Sequence, residues 1–97
     1  MPMNDVLNEH ERISILLTLN DSPGYRSNDS IIQDTCARYA LTISRDRIKN
    51  HLAWLEEQGA VTTEKAGRTV VATLTERGQD VAEGRARMPG VKRPGAR

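Results

Sequence analysis

What most limits the folds open to this chain is a change of period at Gly59. Before it, apolar residues recur at helical spacing in three segments. After it, Ala60-Val61-Thr62-Thr63-Glu64 and Thr69-Val70-Val71-Ala72-Thr73-Leu74 are β-branched runs joined through Lys65-Ala66-Gly67-Arg68. Two such runs about a glycine-containing turn read as a hairpin. The chain must therefore pack a helical bundle against one small β element.

The first helical segment runs from about Asn4 to Asn20, with Val6, Ile13, Leu16 and Leu17 on one face and Ile15 and Leu19 as a second stripe beside it. That second stripe is either buried in a central helix or reserved for another copy of the protein. Asp21-Ser22-Pro23-Gly24 ends the helix, and Tyr25-Arg26 reads as a short extended piece. Ser27 or Asn28 caps a second helix lasting to Tyr39 or Ala40, its buried face made of Ile32, Thr35, Cys36 and Tyr39 with Ile31 alongside. Ser44 caps a third helix that buries Ile48, Leu52 and Leu55 and stops at Gly59. Thr75 opens a last helix through about Ala86, which Gly78 and Gly84 weaken. The expected fold is mainly α with a small hairpin: a three-helix core, a two-stranded wing and a C-terminal helix over residues 4–86. Residues 87–97, rich in Pro, Gly, Arg and Lys, are expected to be a disordered basic tail.

With 97 residues the chain makes one domain, and its only aromatics are Tyr25, Tyr39 and Trp54, so the core is aliphatic. No apolar run has the roughly 18 residues of a membrane span, and the N-terminus does not read as a secretory signal. The single cysteine, Cys36, has no internal partner and reads as a core residue of a cytoplasmic protein. Charge is unevenly spread. Residues 1–84 carry about −4, whereas Arg85, Arg87, Lys92, Arg93 and Arg97 give the end of the chain +5.

The stretch Ser44-Arg45-Asp46-Arg47-Ile48-Lys49-Asn50-His51-Leu52-Ala53-Trp54-Leu55-Glu56-Glu57-Gln58-Gly59-Ala60-Val61 resembles the recognition helix and following turn of winged helix-turn-helix regulators. Thr73-Leu74-Thr75-Glu76-Arg77-Gly78 resembles the segment that leaves the wing in MarR- and PadR-type regulators. The whole chain, with Pro89-Gly90-Val91-Lys92-Arg93-Pro94, also resembles small winged-helix proteins of Mu-like phages and prophages. The resemblance implies a phage- or prophage-encoded transcriptional regulator in the cytoplasm of a bacterial host. It lacks the cysteine pair of the metal-sensing ArsR type, and Cys36, His10 and His51 are too scattered for a metal site. The longer MarR-type proteins have extra helices around a ligand pocket for which there is little room here, so neither cofactor nor small-molecule ligand is expected.

A helix entering the major groove of double-stranded DNA needs long donor side chains near its start. Arg45, Arg47, Lys49 and Asn50 meet that need, with Ser44 at the cap; the bland alternative is the solvated face of a surface helix. Lys65 and Arg68 flank the hairpin tip and are candidates for backbone phosphates, as are Lys92, Arg93 and Arg97 of the tail. About five neutralised phosphates would give a log–log salt slope of roughly −4 to −5. A homodimer would double those contacts, and Ile15, Leu19 and Val81 are candidates for its surface. Trp54, on the outer side of the third helix, either folds beneath a neighbouring segment or marks a partner site. A competing reading is a winged-helix adaptor for another protein. No enzyme is expected: there is no phosphate-cradling loop and no Cys/His pair, and Glu56 and Glu57 are adjacent and point apart.

Overall fold

The computed structural model describes residues 2–95. The order is α1 (Met3–Asn20), a short 3₁₀ turn (Pro23–Tyr25), β1 (Arg26–Asn28), α2 (Asp29–Arg38), α3 (Arg45–Glu57), β2 (Val61–Ala66), β3 (Thr69–Leu74) and α4 (Glu76–Ala82). This is the winged-helix arrangement expected from the periodicity. Three helices start at side-chain caps, where Asn28, Ser44 and Thr75 accept from the backbone N–H of Ile31, Arg47 and Gly78.

The wing is one residue pair longer than the alternation alone indicates. Pairing runs from Val61 opposite Leu74 to Ala66 opposite Thr69, leaving a two-residue turn at Gly67-Arg68. Gly67 has φ 66°, a left-handed conformation open to glycine at little cost. The extended piece after the first helix is Arg26–Asn28, which pairs antiparallel with β3, so the sheet has three strands in the order β1-β3-β2.

The core lies where α1, α2 and α3 meet the sheet. Ile15, Leu16, Leu19, Ile32, Ile48, Leu52 and Leu55 have no exposed surface. Ile15 and Leu19 are thus core residues, and Val81 is buried with them; none of the three is available as a dimer surface. The reason is that α1 packs against α2, α3, α4 and β3, so both of its stripes are covered.

Tyr39 and Ile31 depart from the expected core in the other direction, being 82% and 53% exposed. The helix ends at Arg38, and Ala40 adopts φ 62°, which turns the chain away. Ile43 from the connector occupies the core in place of the tyrosine.

The last helix is shorter than expected, ending at Ala82 with Gly84 at φ 81°. Gly78 also has a packing role. A Cβ there would lie 2.1 Å from the carbonyl oxygen of Ala60, so only glycine lets α4 approach the start of the wing. The basic tail is seated over part of its length, contrary to the disorder its composition predicts. Met88 is buried in the core cluster and Val91 packs against it, because the chain beyond Gly84 folds back over α1 and α3.

Candidate functional site

Successive residues on a helix are rotated by about 100°, so Arg45 and Lys49 share one flank of α3 while Arg47 lies about 200° from Arg45 on the other. Asp46, Asn50 and Ala53 are exposed on the outward face between the flanks. The four expected donors therefore do not form a single patch.

The Arg45/Lys49 flank faces the start of α2. Arg45 Nη2 lies 3.5 Å from Asp29 Oδ1, and Lys49 Nζ lies 3.7 Å from Asp29 Oδ2. The Asp29 side chain has no exposed surface, whereas those of Arg45 and Lys49 are 41% and 35% exposed. Oδ1 also accepts from the Ser30 N–H at 2.9 Å, but Oδ2 has no hydrogen-bond partner. A buried carboxylate thus holds both cations by charge, and their outer portions stay in solvent.

The Arg47 flank faces α1. Arg47 donates to Glu11 Oε1 through Nη2 at 2.7 Å and Nε at 3.1 Å, and through Nη2 to Asn8 Oδ1 at 2.9 Å. His51 Nε2 is 2.7 Å from the same Glu11 oxygen, and Arg12 Nε is 3.3 Å from His51 Nδ1. Burial holds the His51 pKa below its ordinary value, outweighing the Glu11 hydrogen bond that would raise it. The neutral ring with its hydrogen on Nε2 satisfies both neighbours: it donates to Glu11 and accepts from Arg12. Arg47 is consequently tied to α1, with 42% of its side chain still exposed.

Trp54 lies beneath the C-terminal segment. The Arg12 guanidinium sits 3.9 Å from its ring centroid, and Arg12 Nη1 donates to the Gly90 carbonyl at 2.9 Å. Gly90 rests on the indole so closely that a Cβ on it would lie only 2.9 Å from Trp54 Cη2. The Lys92 N–H then reaches the Glu9 carbonyl at 3.2 Å, so Lys92 follows α1. Arg93 lines a groove with Asn20 and Pro94, and Arg97 lies outside the described residues.

In the wing, Lys65 and Arg68 are exposed beside the tip. Arg26 of β1 pairs with Glu64 of β2, neutralising the acid next to them. Glu56 of α3 accepts from both the Thr63 N–H and hydroxyl, at 2.9 and 2.7 Å, and these bonds hold its carboxyl below the usual range.

Sequence reasoning missed Asp29, Glu11, Asn8, Arg12 and Gly90. A signal existed for two of them: Asn8, Glu11 and Ile15 share one helix face, so a face with polar members continues into a core position. Among the described residues, no three metal-ligating side chains are grouped to hold an ion, and no helix is long and apolar enough to cross a membrane.

No protein-family model matches the chain. It is 49% identical over 92 residues to gp26, an uncharacterised protein of Escherichia phage Mu, covering 95% of both chains. It is 38% identical over 78 residues to an uncharacterised Haemophilus influenzae protein, covering 79% of this chain and 76% of that one. Among solved structures, hsRosR-S4 matches with TM-score 0.62 and 22% identity over 74% of this chain and 62% of that one, a likeness of fold. AbsC, a MarR family transcriptional regulator from Streptomyces coelicolor, matches with TM-score 0.57 and 27% identity over 86% of this chain and 50% of that one. Reduced HlyU from Vibrio cholerae matches with TM-score 0.55 and 29% identity over 84% and 77% of the two chains. The chain therefore belongs to the family of phage Mu gp26, and it has a winged-helix fold.

Proposed function

We propose that this chain binds double-stranded DNA with sequence preference, as a phage- or prophage-encoded transcriptional regulator acting in the cytoplasm of a bacterial host. It is a binding protein rather than an enzyme, and its partners are DNA and a second copy of itself. The observation that carries the reading is the exposed side of α3: Asn50 on the outward face and Arg45 and Lys49 on the flank beside it keep donors in solvent, on a winged-helix frame like that of a MarR family transcriptional regulator. Arg can bond bidentately to guanine and Asn to adenine in the major groove, which is wide enough for a helix. Ser44 and the first turn of α3 would hold a phosphate, and Lys65 and Arg68 would grip the backbone from the wing. Arg47, tied to Glu11 and Asn8 yet 42% exposed, would contact the duplex from the opposite flank of the helix. Lys92 and Arg93 are secondary phosphate contacts, because their segment is seated along α1.

The experiment is fluorescence anisotropy with a mixed-sequence duplex, from about 50 mM salt upward. The expected result is salt-sensitive binding that Arg45→Ala/Lys49→Ala/Asn50→Ala abolishes. A folded protein that binds no duplex at low salt would overturn the reading. The second reading, an adaptor for another protein, draws on the mildly acidic body and the exposed Ile31 and Tyr39.

A further inference from the structure

Of the large apolar side chains that the fold leaves in solvent, two lie on α2 and its C-cap, and the others lie on α1 and in the turn after it. Ile31 and Tyr39 are both exposed, and Thr35 lies between them at four-residue spacing, so the three form a stripe of about 12 Å from the first turn of α2 to its C-cap. Beside this stripe runs an open groove of about 600 Å³ between α1 and α2, lined in part by Leu17, Thr18, Pro23 and Cys36. Asp34 and Arg38 are exposed within the same arc of about 140°. Among the described residues, neither takes part in an ion pair. Apolar surface rimmed by free charge is the composition of an interface.

We infer that α2 pairs with α2 of a second copy, antiparallel, about a two-fold axis at the level of Thr35 and Cys36. In a two-fold interface a contact from one residue to another is made twice, once in each direction. Setting Ile31 opposite the second copy's Tyr39 puts the axis at Thr35. Setting Asp34 opposite its Arg38 puts the axis at Cys36. These two centres differ by one residue, about 1.5 Å of rise, which Tyr and Arg side chains span. One register therefore satisfies the apolar and ionic contacts together. A parallel pairing would set Asp34 against Asp34 and Arg38 against Arg38, which opposes it. Both the acid and the base that this face calls for are on the chain itself, so the occupant is a second copy.

This inference rests on the reading that two copies act together, and its test uses no DNA. Sedimentation of the full chain up to about 100 µM detects a dimer with a micromolar Kd, with circular dichroism as the check on folding. Wild type is expected to self-associate, and Asp34→Arg and Arg38→Asp are each expected to weaken association at least about tenfold. The double variant D34R/R38D is expected to restore it to within about threefold, because the charges are exchanged rather than lost. A wild type that stays monomeric would overturn the pairing and leave duplex binding, measured separately, standing. A dimer indifferent to both single reversals would overturn this face and leave the second copy to be placed elsewhere.

Discussion

Glu11 on α1 and His51 on α3 meet across the helix interface, one carboxylate oxygen 2.7 Å from the ring nitrogen Nε2, both side chains nearly enclosed. The burial that depresses the His51 pKa makes folding depend on pH. An unfolded imidazole takes up a proton near pH 6.5, whereas the folded one resists it until the pH is lower. Stability is therefore full above pH 6.5 and falls as the pH drops through the interval between the two values. Urea titrations across this range should show the decline, and His51→Gln should flatten it. An unchanged slope in that variant would assign the effect to another group.

Gly78 allows close approach of two backbones. Gly78→Ala would put a Cβ 2.1 Å from the Ala60 carbonyl oxygen, and a backbone atom cannot move aside cheaply. The expected loss is about 3 kcal/mol, the upper part of the range for overpacking. Gly67→Ala is a contrasting case, because its Cβ meets nothing within 4 Å and only the positive φ resists it. A loss of about 1 kcal/mol is expected there. Denaturant midpoints of the two variants should rank in that order.

Asp29 organises the Arg45/Lys49 flank from a buried position. Asp29→Asn removes the charge but keeps an acceptor for the Ser30 N–H. Since both cations can turn to solvent, the expected cost is about 1–2 kcal/mol rather than that of a stranded buried ion. Asp29→Ala, which also leaves the Ser30 N–H without its acceptor, should cost more. Equal stability of all three proteins would show that the carboxylate contributes nothing.

The contact between Gly90 and Trp54 gives an optical readout of the C-terminal segment. Gly90→Val cannot keep the segment on the indole, since even a Cβ would come within 2.9 Å of the ring. The expected outcome is a red-shifted Trp54 emission with easier acrylamide quenching, while the far-ultraviolet helical signal is retained. An unchanged emission would mean that the segment does not shield the ring.

The order of elements was legible because each depends on local pattern: the change of period at Gly59, and caps such as Ser44 and Thr75 whose partners lie three residues on. Tyr39 was not, because it is the C-cap, past the last helical residue Arg38, where helical periodicity no longer decides which side is covered. The fates of Ile15 and Leu19 depended on how many neighbours α1 acquires, which periodicity cannot count. The cations of α3 were visible as a cluster, but their partners were not. Arg47 finds Glu11 across 36 residues, and Arg45 finds Asp29 across 16. The seated tail was hidden by a composition typical of disorder, which its few anchoring residues, Met88 and Val91, do not change.

The strand β1 has a consequence for how this molecule meets anything else. It joins the start of α2 to the inner strand of the wing, while Glu56 fastens the end of α3 to Thr63 on the outer one. Helix and hairpin thus behave as the two jaws of a calliper locked at one setting. In the proposed DNA-binding mode, a duplex would have to present the matching separation, or bend until it did.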